Sequence, residues 1–370
     1  MKKSSIALAV LGALASAASA QSSVTLSGIV DAGVRRVGTA TGHDWQVAGQ
    51  QSFFNHIKFT GVEDLGGGMR ASFRLEHRFR IQNGTNNSPS QGLGGAADCN
   101  TNDNNVVPTP APVPCVDPFW RRSYVGLASS SLGEIRLGRQ DMLLQEYAGA
   151  YEPFSTGTVA STHTGGINAT VRANNSITYH SPNMGGLVLG FGIAEAAGQN
   201  QGVNGQGEVG GGLAGAATKT SRLGTERPLG FNFIYTAGPF SIVGGYDRNA
   251  GDLKTVALYS SYDFGGFKLM GQFEKGDNDT SSNPAIAIDE NMKNYSIGVS
   301  FPLGQFQGRL GAVKFDSDLN NRDGTKVGIG AVYYLSKRTS LYTDLGKPSG
   351  NRFSAATKKA AFDLGMTHVF

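Results

Sequence analysis

Between Gly67 and Ile81, charge returns at every second position: Arg70, Arg74, Glu76, Arg78 and Arg80, with Ser72 completing the row. Met69, Ala71, Phe73, Leu75, Phe79 and Ile81 fill alternate positions. A helix would scatter these two sets, whereas a strand puts them on opposite faces. Such a strand presents a row of fixed cations that acts on charged solutes through its field. Two settings suit it. A soluble protein would pack the apolar face on a core and leave the charges in water. A membrane barrel would put lipid outside and a charged aqueous lumen inside.

Residues for bond-making chemistry are not grouped in the sequence. The six histidines, His43, His56, His77, His163, His180 and His368, form no HExxH and no close metal-ligand spacing. No GxSxG elbow, CxxC pair or phosphate loop accompanies them. They read as structural or loop residues, so neither an enzyme nor a cofactor or metal is expected. A hydrolase that assembles serine, histidine and acid from different strands is the remaining enzymatic alternative. Cys99 and Cys115, both in a polar, proline-rich segment, are candidates for a loop-stapling disulfide after export. A zinc pair is the weaker option, because no histidine or further cysteine lies nearby in sequence.

The elements that must position these residues begin with a secretory signal. Lys2 and Lys3 precede the apolar run Ile6 to Ala17, and Ala18-Ser19-Ala20 supplies the small residues of a cleavage site. The expected domains are therefore a signal peptide over 1–20 and a single unit over 21–370. Losing the two lysines lowers the formal charge of +4, so the chain's basicity is slight and does not point to nucleic acid. No later stretch is apolar for the 18 or more residues of a membrane helix.

Sixteen strand candidates follow. Val24 to Val37 comes first, then a polar loop, Phe53 to Glu63, and the arginine strand. Phe119 to Ala128 and Leu132 to Arg139 form a hairpin, as do Asn174 to Ser181 and Leu187 to Ala194. Further hairpins run from Leu229 to Leu345, and Lys359 to Phe370 is the last strand. Tight turns alternate with longer connections, and most segments approach the roughly 9–11 residues that cross a bilayer as a tilted strand. Closure into a barrel would satisfy every backbone hydrogen bond, which an open sandwich in lipid cannot do. The Gly- and Ala-rich run from Leu213 to Ser221 is ambiguous between strand and loop. Aromatics gather at strand ends, as at Phe53-Phe54, Phe119-Trp120 and Tyr333-Tyr334, which suits interfacial girdles.

With these strands laid out, the chain resembles the general porins of Gram-negative outer membranes, especially the trimeric sixteen-stranded porins of β-proteobacteria. SSVTLSGIVDAGV at Ser22 to Val34, GVEDLGGGMRASFRLE at Gly61 to Glu76 and YVGLASSSLGEIRLGRQ at Tyr124 to Gln140 carry the resemblance. NSITYHSPNMGGL, YYLSKRTSLY and the terminal GMTHVF extend it to the C-terminus. Asn55-His56 departs from it, standing where the family usually has a serine-arginine pair. The resemblance implies an all-β, sixteen-stranded antiparallel transmembrane β-barrel with short periplasmic turns and long extracellular loops. It also implies a third loop, residues 139–173, that folds inward and narrows the pore. Phe370 would be the aromatic signal read by the barrel assembly machinery.

On that basis a basic wall of Arg70, Arg74 and Arg78, with Arg35, Lys58 and Arg122 as further candidates, would face Asp141, Glu146 and Glu152 on the infolded loop. Glu76 is expected to pair with an arginine rather than to select solutes. The implied activity is passive diffusion of ions and small hydrophilic solutes, with a weak anion preference. The implied partners are two further copies of the chain in a homotrimer, outer-membrane lipids and lipopolysaccharide. A solute-specific pore would need a continuous aromatic or charged track through the lumen, and an adhesin or structural barrel would act through its outer loops.

Overall fold

The computed structural model describes residues 22–84, 120–163, 170–195, 208–209, 227–249, 254–278, 290–318 and 322–370. The expected signal peptide and the Cys99–Cys115 pair lie outside the described residues, as does the ambiguous run from Leu213 to Ser221.

The period-two pattern becomes one antiparallel sheet of eighteen strand segments. They are β1 (Ser23–Gly38), β2 (His43–Gly49), β3 (His56–Gly66), β4 (Met69–Arg78), β5 (Arg122–Ser129) and β6 (Gly133–Asp141). Then come β7 (Thr170–His180), β8 (Leu187–Ala194), β9 (Glu208–Val209), β10 (Leu229–Ala237), β11 (Phe240–Arg248) and β12 (Lys254–Asp263). The last six are β13 (Lys268–Asn278), β14 (Glu290–Leu303), β15 (Phe306–Ser317), β16 (Gly324–Tyr334), β17 (Thr339–Gly350) and β18 (Ala361–Val369). β1 pairs with β18 from Ile29↔Val369 to Arg36↔Phe362, which closes the sheet on itself. On its other edge β1 pairs with β3 through its first half and with β2 through its second. β2 and β3 are thus two parts of one barrel strand, and β9 is a short piece added to β7. The closed wall has sixteen strands.

The break between β2 and β3 differs from the expectation of a polar loop followed by a strand from Phe53. Trp45 and Val47 alternate with Asp44 and Gln46, and this pattern extends the pairing along β1. Residues Gln50 to Asn55 then leave the ladder. Asp31 supplies what the ladder loses: its Oδ1 accepts the amides of Gln51 at 2.7 Å and Ser52 at 3.3 Å. Its own amide donates to Asn55 Oδ1. Tyr342 and Thr367 donate their hydroxyls to the same carboxylate, at 3.1 and 2.6 Å, from across the barrel seam.

Turns at one end are tight. Gly66, Gly67 and Gly68 have φ of 78°, 59° and 78°, a left-handed run that side chains resist and glycine adopts freely. That turn sends β3 straight into β4. The outer surface is apolar: Val24, Leu132, Ile297 and Val327 are each more than half exposed, as a lipid-facing wall requires.

The packed interior is a loop laid against the inner wall. After β6 the chain runs through Met142, Leu143 and Leu144 into a one-turn helix, α1 (Gln145–Ala148), and a 3₁₀ turn over Gly149–Tyr151. Leu144, Ala148 and Tyr151 pack on Val243, Ala257 and Tyr259 of β11 and β12. The loop then passes Gly298 of β14, where a β-carbon would lie 2.5 Å from Pro153. At Gly328 and Gly346, on β16 and β17, a β-carbon would lie 2.3 Å from the Ala160 carbonyl oxygen and 2.0 Å from that of Val159. Glycine at these wall positions lets the loop backbone touch the sheet.

Candidate pore constriction

A charged stretch of the inner wall is built on β3, β4 and β5. Register sets His56 opposite Arg78, Lys58 opposite Glu76 and Thr60 opposite Arg74. On the other side of β4, Glu76 faces Arg122. Parity turns these side chains inward, and Glu76 becomes their centre with only 1% of its side chain exposed. Arg122 reaches its carboxylate at 2.8 Å, Arg78 and Arg121 at 3.5 Å each, and Arg74 donates to it as well.

Arg122 also pairs with Asp141 at the end of β6, and Arg172 of β7 reaches Asp141 at 3.4 Å. Among the described residues, five guanidinium groups thereby share two carboxylates. Arg139 adjoins them and donates to Asn174 Oδ1 at 2.5 Å. Lys58 lies within the field of Arg74, Glu76 and Arg122 and makes no hydrogen bond or ion pair among the described residues. Fixed guanidinium forks suit this shared geometry, because each can serve two acceptors at once. Phe54, in the break between β2 and β3, lies under Arg78 at 4.0 Å and Arg121 at 5.6 Å from its ring centroid.

The structure thus brings together Arg74, Arg78, Arg122 and Lys58. Asp141 lies among these cations, on the same wall rather than opposite. Arg70 is exposed on the same strand, nearer the tight turn and close enough to Glu134 to act on it. Arg35 stands elsewhere: from β1 it donates to the Gly157 carbonyl at 2.8 Å and pairs with Asp363 at 3.1 Å. Asp363 in turn accepts the Val159 amide at 2.9 Å. These contacts latch the far end of the loop to the seam.

The loop's two other acids are also engaged. Glu146 pairs with Arg136 of β6 at 3.3 Å and lies 3.9 Å from His180. Beside it, burial and the Glu146 carboxylate push the Tyr147 phenol well above its ordinary range. Glu152 turns into the loop itself, accepting the amides of Phe154 at 3.2 Å, Thr162 at 3.1 Å and Thr156, and the Ser161 hydroxyl at 3.0 Å. Its geometry is that of a knot tying the loop tip. Arg309 holds the same tip, donating to the Pro153 carbonyl at 3.4 Å while its fork grips Asp344 at 2.9 and 2.5 Å.

Sequence reasoning missed Arg121, Arg172 and Phe54. Arg121 precedes β5 and lies outside its parity, so alternation does not mark it. Arg172 shares its parity with Asn174, Ser176, Thr178 and His180 on β7, and that alternation was the available signal. Phe54 stands out in the sequence only as one of the strand-end aromatics.

What such a wall does follows from its surroundings. A cluster with more cations than anions, in an aqueous gap narrowed by a loop, concentrates mobile anions and orders water across the opening. Relatives carry the same architecture. The Gram-negative porin family matches residues 7–351. Outer membrane porin protein 32 of Delftia acidovorans is 31% identical over 363 residues, covering 93% of this chain and 89% of that protein. An outer membrane porin protein of Bordetella pertussis is 26% identical over the full length of both chains. The solved anion-selective porin from Comamonas acidovorans superposes with a TM-score of 0.71 at 26% identity, over 95% of this chain and all of that one. Barrel, infolded loop and sequence agree: this chain belongs to the Gram-negative porin family and forms a passive channel through the outer membrane.

Proposed function

We propose that the channel carries ions and small hydrophilic solutes with a preference for anions, set by the wall of Arg74, Arg78, Arg121, Arg122 and Arg172. One observation supports this most directly: among the described residues, five guanidinium groups share two carboxylates, and Lys58, which makes no ion pair with any described residue, stands beside them. Among the described residues the surplus is positive whichever arginine each carboxylate is assigned to. The anion-selective relative from Comamonas acidovorans supports the same sign. Glu146 and Glu152 act mainly on the loop's position, because their oxygens are engaged by Arg136 and by the loop backbone.

Passage needs no tight binding. A solute that enters the gap exchanges part of its hydration for the fixed dipoles and charges of the wall, and leaves down its gradient. Residues 139–173 provide the narrowing, Arg70 adds charge toward the tight-turn end, and Arg35 holds the loop rather than lining the narrowest gap.

Export through the 1–20 signal, with cleavage after Ala20, brings the chain to the membrane. Phe370, which exchanges backbone hydrogen bonds with Gly28 at 2.9 and 3.0 Å, presents the terminal aromatic to the assembly machinery. Outward residues on the adjacent strands β1 and β18, Val24, Leu26, Leu364 and Met366, are 50–69% exposed and suit burial between copies in a homotrimer. The rest of the apolar band meets outer-membrane lipid and lipopolysaccharide.

The test is the zero-current potential of refolded protein in a planar bilayer under a KCl gradient. Stepwise conductance with a potential of chloride sign is the expected result. A potassium sign would transfer control to the acids, and no conductance from folded, inserted protein would sink the channel reading.

A further inference from the structure

A phenyl ring stands open at the charged wall of this aqueous lumen. Phe54 keeps 37% of its surface exposed although the strand pattern offers a lipid-facing side where aromatic rings are stable. It is held in the lumen because residues Gln50 to Asn55 leave the ladder and are fixed there by Asp31. His56 Nδ1 lies 2.8 Å from the Phe54 carbonyl oxygen and fixes the segment's far end. An apolar ring exposed to pore water carries an unfavourable hydration cost, so its retention calls for a physical role.

Its neighbours indicate one. Arg78, 4.0 Å from the ring centroid, gives the ring a cationic partner that itself stays tied to Glu76. Lys58 lies diagonally across the β3–β4 pair from Arg78, since Lys58 faces Glu76 and His56 faces Arg78. Diagonal neighbours in a sheet are roughly 7–8 Å apart, within reach of a long lysine side chain. An exposed phenyl surface backed by a largely buried guanidinium, with an ammonium one step away, matches a flat ring bearing a carboxylate.

We propose that Phe54, Arg78 and Lys58 form a transit subsite for small aromatic carboxylates. The solute's ring packs against the exposed surface of Phe54, which Arg78 backs from its other side, and its carboxylate meets the Lys58 ammonium. Chloride and aliphatic anions use only the charge, whereas aromatic anions use both surfaces. The subsite deepens the channel function proposed above and rests on it.

The experiment measures bi-ionic potentials of potassium benzoate and of potassium cyclohexanecarboxylate, each against KCl, on refolded protein in planar bilayers. The two anions carry the same charge and a ring of similar size, and differ in aromaticity. Because their ratio is read within each protein, differences in channel number and overall conductance cancel, and the comparison of Phe54→Leu with Phe54→Tyr separates aromaticity from width. Benzoate is expected to permeate about two- to fivefold better, the factor that exposed cation–π and stacking contacts supply. Phe54→Leu brings the ratio to unity, and Phe54→Tyr keeps it. A ratio of unity in the unsubstituted protein, or a raised ratio that survives Phe54→Leu, overturns the subsite while leaving the channel intact. Failure to conduct KCl at all overturns the channel, and the subsite falls with it.

Discussion

Glu76 shows how a single buried charge can organise a wall built to attract its opposite. Its carboxylate is surrounded by Arg74, Arg78, Arg121 and Arg122, and those arginines hold their positions against mutual repulsion because it is there. Glu76→Gln keeps the shape and removes the charge. Breaking a buried ion pair costs about 3–5 kcal/mol, whereas an exposed pair such as Glu146–Arg136 is worth about 0–1 kcal/mol. The temperature at which the folded barrel loses its fast mobility on unheated gels should therefore fall far more for Glu76→Gln than for Glu146→Gln. The surviving Glu76→Gln channels should give a larger chloride-signed zero-current potential, because the wall has lost a negative charge. Equal melting of the two variants would refute the keystone role. Alternation alone showed that Arg74, Glu76 and Arg78 share a face. The position of Asp141 among the arginines was not legible, because it depends on the register of β4 to β7 and on where the loop departs.

At the scale of elements, the strands were legible and the loop's path was not. A strand writes its two faces into its own residues at period two, so the barrel could be read segment by segment. The break between β2 and β3 escaped that reading because its support comes from Asp31, Tyr342 and Thr367, residues distant in sequence. The loop's seat is equally hidden: a strand glycine reads the same whether it marks a bend or a close approach. Gly346 is a close approach, with the Val159 carbonyl oxygen where its β-carbon would be. Gly346→Ala leaves the outer face of β17 unaltered and pushes the loop off the wall toward the arginines. Single-channel KCl conductance should drop, and the largest sugar admitted in liposome-swelling assays should become smaller. Unaltered conductance and sugar cut-off would mean that the loop is not seated on this wall.

Over the whole molecule, selectivity is a matter of where charge lies and what screens it. The full chain carries a formal net charge of only +4, so a uniform spread of charge would give little preference for either ion. Here the surplus is local: among the described residues, five arginines and two carboxylates converge on one stretch of inner wall. Charges on outer loops act through bulk solvent, while the wall acts across a gap bounded by protein on both sides. The screening length is about 10 Å at 0.1 M salt and about 3 Å at 1 M. In dilute KCl the wall's field spans the opening, and in concentrated KCl it is confined to the layer next to the guanidinium groups. The chloride-to-potassium permeability ratio should therefore fall steadily as both chambers are raised from 0.1 M to 3 M at a fixed concentration ratio. A ratio that stays flat over that range would show that ion preference arises from direct coordination at a dry constriction, and the wall's long-range field would then have no part in it.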